Sequence, residues 1–209
     1  MTRPAPLLSD LAEVARRHAM RHAPHLSGLH PFLAAVRARF GEVPDPDPLD
    51  GGTDARLLLL LETPGPAIRG SGIVSRDNPT GTGRNLRVML DGAGLRRADT
   101  LIWNVVPWII HDEGARNRAP TRAEIRSGLG TISPLLDCLP HLQVVVLAGK
   151  AAGAAEPALR AARPSLPILR MHHPSPTIQC TSPAIRQGCA AALAEAAIIL
   201  RRNEVGAAA

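Results

Sequence analysis

Four short stretches hold the side chains that reacting sites use: Glu62 and Thr63 in LLLLLETPGP (Leu57 to Pro66), Asn104 in TLIWNVV, Gly149 and Lys150 in VVVLAGKAA, and His172, His173 and Ser175 in HHPSP. An asparagine amide presents an acceptor beside a two-hydrogen donor, the shape that reads the edge of a nucleobase or another amide-like ring. A histidine opposite it can stabilise negative charge developing on an oxygen. A carboxylate such as Glu62 can orient water or offset positive charge on a sugar. Pro174 and Pro176 stiffen the loop that carries the histidine.

These groups act together only if the fold gathers them. Leu57 to Leu61, bounded by Arg56 and Glu62, is too short to span a bilayer and has no alternation, which suits a strand covered on both faces. Thr100 to Val106, Gln143 to Ala148 and Pro167 to Met171 read as three further buried strands. Helical spacing predicts helices over Pro6 to Arg21, Pro31 to Phe40, the stretch from Leu86 to Gly92, Thr121 to about Cys138 (with a Thr121/Glu124 capping box), the alanines after Lys150, and Pro183 to Arg202. Strands alternating with helices predict an α/β fold, a three-layer α/β/α sandwich around a four-stranded, mostly parallel sheet. In such sheets ligands bind beyond the carboxyl ends of the strands, where all four stretches fall.

The chain of 209 residues suits a single domain over 1–209: a helical extension and linker over 1–50, a core over 56–200 and a tail over 203–209, with Ala207 to Ala209 expected to be disordered. Gly41 to Thr53 (GEVPDPDPLDGGT) reads as a connector. The net charge of +6 is carried almost wholly by arginine, with Lys150 the lone lysine. Arginine forks suit phosphate oxygens, and the same excess also fits a genome biased toward Arg, Ala, Gly and Pro. The cluster Arg16, Arg17, His18, Arg21 and His22 reads as a solvated helix face. Cys138, Cys180 and Cys189 lack metal or disulfide spacing, no segment approaches a membrane span, and the expectation is a cytoplasmic monomer with no metal, no cofactor and no membrane partner. Gly81 and Gly83 match neither phosphate-loop pattern. Together the four strand ends describe excision of a base from DNA better than a dehydrogenase or a kinase.

LETPGP, NVV in TLIWNVVPW, RNRAPTRAEI, VVVLAGKAA and HPSP, in that order over roughly residues 56–200, resemble the ordered motifs of the uracil-DNA glycosylase superfamily, most closely its iron–sulfur branch. The resemblance implies that Asn104 reads uracil and that His173 stabilises the leaving uracil anion. It also implies a phosphate contact for Ser175 and an apolar wedge at Thr177 and Ile178 that enters the duplex as the base flips out, and Glu62 matches the glutamate of the family's GEAPG form. Lys150 at a helix start is expected to touch phosphate.

The departures from the family pattern are specific. Thr63 stands where a catalytic Asp or Asn is usual, so either Glu62, or Asp77 and Asn78 in the next loop, substitute for it, or the reaction relies chiefly on stabilising the leaving base. Gly65 stands where a tyrosine blocks thymine. No aromatic residue occurs between Glu62 and Leu90, which leaves Trp108 as the candidate to stack on the base. Trp108 also replaces a cluster-ligating cysteine, so no iron–sulfur cluster is expected. The expected function is a monofunctional uracil-DNA glycosylase acting on uracil-containing DNA. The alternatives are a binding module on the same fold that recognises a flipped base without cutting it, and a nucleotide-metabolising α/β enzyme.

Overall fold

In the computed structural model, which describes residues 7–115 and 117–207, the leucine run is a central strand, and all five of its side chains are buried. In chain order the elements are α1 (Leu11–Ala19), α2 (His30–Phe40), β1 (Asp45–Pro46), β2 (Leu57–Leu61), β3 (Ile73–Val74), α3 (Gly81–Gly92), β4 (Thr100–Asn104), α4 (Arg122–Leu129), α5 (Ile132–Asp137), β5 (Val144–Ala148), α6 (Lys150–Gly153), α7 (Glu156–Ala162), β6 (Ile168–Met171), α8 (Pro176–Gln179) and α9 (Pro183–Ala207). Pro6 at the expected start of the first helix, Arg116 of RNRAPTRAEI, and Ala208 and Ala209 of the tail lie outside the described residues.

The main sheet has the order β4-β2-β5-β6 and is parallel throughout, with helices packed around it in an α/β/α arrangement. Burying each leucine of β2 fully contributes about 1.5–3 kcal/mol, so the run is held wherever two apolar neighbours flank it. The register pairs Leu61 with Asn104, Leu60 with Leu147, and Ala148 with Met171. The residues that follow the strands, Glu62, Gly149 and His172, therefore emerge along one edge. Val105 and Val106 lie past the end of β4, yet their N–H groups still donate to Leu61 and Glu62 carbonyls at 2.9 and 3.0 Å.

The N-terminal region departs from expectation. The helix predicted from the spacing of Leu7, Leu8, Leu11, Val14 and Ala15 docks through its polar side instead: Leu11 is 79% exposed while Glu13 and Arg17 are buried. Arg17, expected on a solvated face, donates to Glu13 (2.7 Å), Asp47 (2.6 Å) and Asp77 (2.7 Å). Arg97 also pairs with Asp47, Asp50 and Asp77, and Arg87 reaches Asp77 at 2.6 Å. Asp47 and Asp77 lie inside the fold, so pairing Arg17 with them sets which face of the helix docks, because leaving either charge buried without a partner is costly. The segment read as a connector is part of the same structure, because Asp45 and Pro46 pair in parallel with Ile73 and Val74 in a second, two-stranded sheet.

Three helices also differ from the sequence reading. The one expected to run from Thr121 to Cys138 divides into α4 and α5, where the Thr131 hydroxyl bonds the Gly128 carbonyl and Gly128 packs directly on the Val105 backbone. The capping box at Thr121 and Glu124 is present. The alanine stretch after Lys150 divides into α6 and α7. The C-terminal helix runs through Ala207, so residues 203–207 are helical where a tail was expected. Residues 183–204 are long and apolar enough to cross a membrane, contrary to the sequence expectation; in this fold one face, Cys189, Leu193, Ala196, Ala197 and Leu200, is buried against the domain.

Replacing Arg17 with Met leaves Glu13, Asp47 and Asp77 without their shared cation, and the expected loss is about 3–5 kcal/mol in urea unfolding. Asp50 gives a second test. Burial pushes its carboxyl from 3.8 up to about 7, against the pull of Arg76, and its Oδ2 has no hydrogen-bond partner. A raised value means the folded chain keeps a proton that the unfolded chain releases, so this group's contribution declines as pH rises from 3.8 through about 7. Between about pH 5 and about pH 8 the stability of Asp50→Asn therefore falls less than that of the wild type.

Candidate active site

The carboxyl edge of the sheet opens into a cleft of about 580 Å³. Its inner wall is aliphatic, from Leu61, Ile68, Val74, Leu86 and Ile102. Of the residues singled out in the sequence, Glu62, Thr63, Gly65, Asn78, Asn104, Gly149, Lys150, His172, His173, Ser175, Thr177 and Ile178 line it. They come from every strand of the main sheet, which is why sequence separation of more than a hundred residues does not keep them apart.

Asn104 closes β4 and is 2% exposed. Its backbone is fixed by the ladder to Leu61, and its amide makes no hydrogen bond among the described residues. Its polar atoms face the open cleft, where water or a ligand can pair with them. The group is therefore built for a ligand with a matching donor and acceptor.

His173 sits in a loop pinned from several sides. Ser175 N–H donates to its Nδ1 (3.1 Å), Gln179 Nε2 donates to its carbonyl (3.1 Å), and Asn85 of α3 donates to the Pro174 carbonyl (2.7 Å). With Nδ1 accepting, the proton of the neutral ring lies on Nε2, which becomes a donor. Burial lowers the His173 pKa below its ordinary 6.5, while the nearby Glu62 carboxylate pulls the other way. The neutral donor form thus persists to lower pH than for a solvent-exposed histidine.

Glu62 accepts from Ala151 N–H through Oε1 (3.1 Å), and its other oxygen has no hydrogen-bond partner among the described residues. It is the one carboxylate among the described residues that line the cleft. The Thr63 hydroxyl is buried with no hydrogen-bond partner. Gly65 leaves open space where a larger side chain would project. Lys150 is exposed at the start of α6, and Thr177 and Ile178 stand exposed at the start of α8, with the Ser175 and Thr177 hydroxyls 3.1 Å apart.

Three predicted site residues are corrected. Asp77 does not line the cleft; its carboxylate is spent on Arg17, Arg87 and Arg97, so it is not free to activate water. Asn78 does line the cleft, but its side chain is committed to Ser71 Oγ (2.8 Å) and the Ile73 carbonyl (2.8 Å). Trp108 lies outside the cleft and stacks on Phe40, with ring centroids 4.1 Å apart and planes 7° from parallel, so that face is closed to a base.

Two contributors were not singled out in the sequence. Asn117 and Arg118 line the rim, Arg118 clamped on Glu124 at 2.6 and 2.8 Å; RNRAPTRAEI carried their signal. Gly149 has φ +99°, and a Cβ there would lie 2.6 Å from Glu62 Oε1 and 3.1 Å from the His173 Cβ. No side chain fits between the two catalytic candidates. Among the described residues no group of three His, Cys, Asp or Glu side chains is placed to hold a metal ion, and the three cysteines are free.

Gly149→Ala is expected to push Glu62 and His173 apart and to strain the backbone by about 1–2 kcal/mol. Its thermal unfolding should shift by a few degrees while its rate of base release falls by about a hundredfold; unchanged release would show that the pair tolerates displacement.

The sequence profile described as the Uracil DNA glycosylase superfamily matches residues 48–195, more than two thirds of the chain, and the match spans all four strand ends that build the cleft. No curated protein matches the chain. With the buried amide, the pinned imidazole and the carboxylate gathered in one cleft within the matched span, the chain belongs to the uracil DNA glycosylase superfamily, with a glycosylase-type function on DNA.

Proposed function

We propose that the protein is a monofunctional uracil-DNA glycosylase that flips uracil out of DNA and hydrolyses its N-glycosidic bond. The observation that carries this reading is the unpartnered Asn104 amide in the same cleft as the Nε2–H donor of His173. The Asn104 carbonyl takes the uracil N3–H and its amide gives to O4; cytosine presents the opposite pattern at both positions. As the bond to C1′ breaks, the electron pair passes to N1 of the base, and the neutral His173 ring donates to a carbonyl oxygen on which the charge gathers. The free oxygen of Glu62 orients a water whose oxygen bonds to C1′ and accepts its proton. The products are free uracil and an abasic sugar. Ile178 fills the gap the flipped base leaves, and Ser175 and Lys150 contact phosphate.

Thr63 favours a second reading. With its hydroxyl in place of a carboxylate or amide, and with Asp77 committed elsewhere, water activation rests on Glu62 alone. If Glu62 does not serve, the chain recognises a flipped base without cutting it.

Release of uracil from a labelled oligonucleotide, single-stranded and opposite G or A, tests both readings. The wild type is expected to cut, with His173→Ala and Asn104→Ala each slower by about a hundredfold to a thousandfold. The rate should fall only below the ordinary imidazole range, because burial lowers the His173 value. Binding without any release of uracil would sink the enzymatic reading in favour of the second.

A further inference from the structure

On the other side of β3 lies a second cavity of about 420 Å³, walled by α1, α2 and β1. The strand divides the two spaces by its alternation: Val74 faces the catalytic cleft and Ile73 the second cavity. Leu26, Leu33, Pro46, Pro48 and Ile73 make an apolar lining. Around it stand His18, Arg21, His22, His30 and Arg37. The one acid in the lining, Asp45, is already paired with Arg37 at 2.6 Å.

The polar groups are arranged in a way that leaves positive charge for a visitor. Arg21 gives its Nε to His22 Nε2 (3.1 Å) and pairs with no carboxylate among the described residues. His18 and His30 use their Nε2 atoms on the carbonyls of Ser71 (2.8 Å) and Arg21 (2.9 Å), so their rings are held in place. The His22 and His30 rings meet edge to face with centroids 5.5 Å apart. An apolar lining with fixed imidazoles and an uncommitted guanidinium complements a flat ring that carries an anion. The volume lies within the range of small-molecule sites. Arginine forks favour phosphate over other anions.

We propose that this cavity binds a nucleoside monophosphate unit, its base against the Leu33 and Pro46 lining and its phosphate on Arg21. The unit can come from free nucleotide or from a nucleotide of a DNA strand. The site is separate from the cleft and does not depend on which base the cleft excises. It lies one hydrogen-bonded chain away from it, through His18, the Ser71 carbonyl, and the Ser71 hydroxyl bound to Asn78.

Imidazole NMR signals of the full chain, assigned by single histidine substitutions, locate binding directly. Deoxyadenosine monophosphate is the first probe. Saturable shifts are expected for His18, His22 and His30, with His172 and His173 unmoved. Arg21→Glu, at an exposed position, is expected to weaken binding by about tenfold or more through loss of the charge-assisted contact. Ala34→Trp, also exposed and at the cavity wall, should abolish it. Adenosine without phosphate should bind at least about tenfold more weakly. A 5′-phosphorylated oligonucleotide that moves the same three signals at lower concentration than the mononucleotide identifies the strand as the source; a mononucleotide that acts alone identifies the free nucleotide. Shifts confined to His172 and His173, shifts that do not saturate, equal effects from inorganic phosphate, or binding that survives Ala34→Trp would each overturn the proposal.

Discussion

Everything at the catalytic cleft depends on the register in which the leucine strand is buried between two parallel neighbours. Leu61 beside Asn104, and Leu60 beside Leu147, set where β4, β2 and β5 stop. A slip of one residue would turn every side chain to the opposite face and carry Asn104 away from the cleft. The apolar run supplies the energy, and parallel hydrogen bonding supplies the precision. The chemistry-bearing residues need only follow the strand ends.

Close packing then turns proximity into a site. Gly149 lets Glu62 and His173 share a space that any Cβ would occupy, and Ala151 N–H holds one carboxylate oxygen there. The loop after β6 is fixed from α3 by Asn85 and from α8 by Gln179, so the histidine is aimed before a ligand arrives. Such preorganisation lets hydrogen bonds stabilise developing charge without reorganisation at the moment of reaction. The cleft also has aliphatic rather than aromatic walls, so its grip on a base comes from shape and polar pairing more than from ring stacking.

The N-terminal region is held by charge more than by apolar contact. Arg17 and Arg97 tie α1, the segment around Asp47 and Asp50, and the loop at Asp77 into one buried network. Buried ion pairs gain little net stability over apolar packing, but breaking one is costly, so the network specifies a single arrangement. Its consequence reaches the cleft, because the loop between β3 and α3 that it anchors carries Ser75 and Asn78 in the cleft wall.

How much was legible follows from the range of the forces involved. The sequence by itself determined the strands, the parallel α/β architecture and the placing of Glu62, Asn104, Gly149 and His173 at strand ends, because an unbroken apolar run and a Pro/Gly turn are local signals that burial enforces. It misread α1, since helical periodicity shows where apolar residues lie and not whether Glu13, Asp47 and Asp77 will gather around Arg17. It placed Asp77 in the chemistry and Trp108 on the base because residue type and spacing are silent about partners: only the tertiary structure decided that three arginines claim the one and Phe40 covers the other. Contacts made across sixty residues, such as Arg17 with Asp77, arise only once the chain has folded, and they settle which polar groups remain free for a ligand.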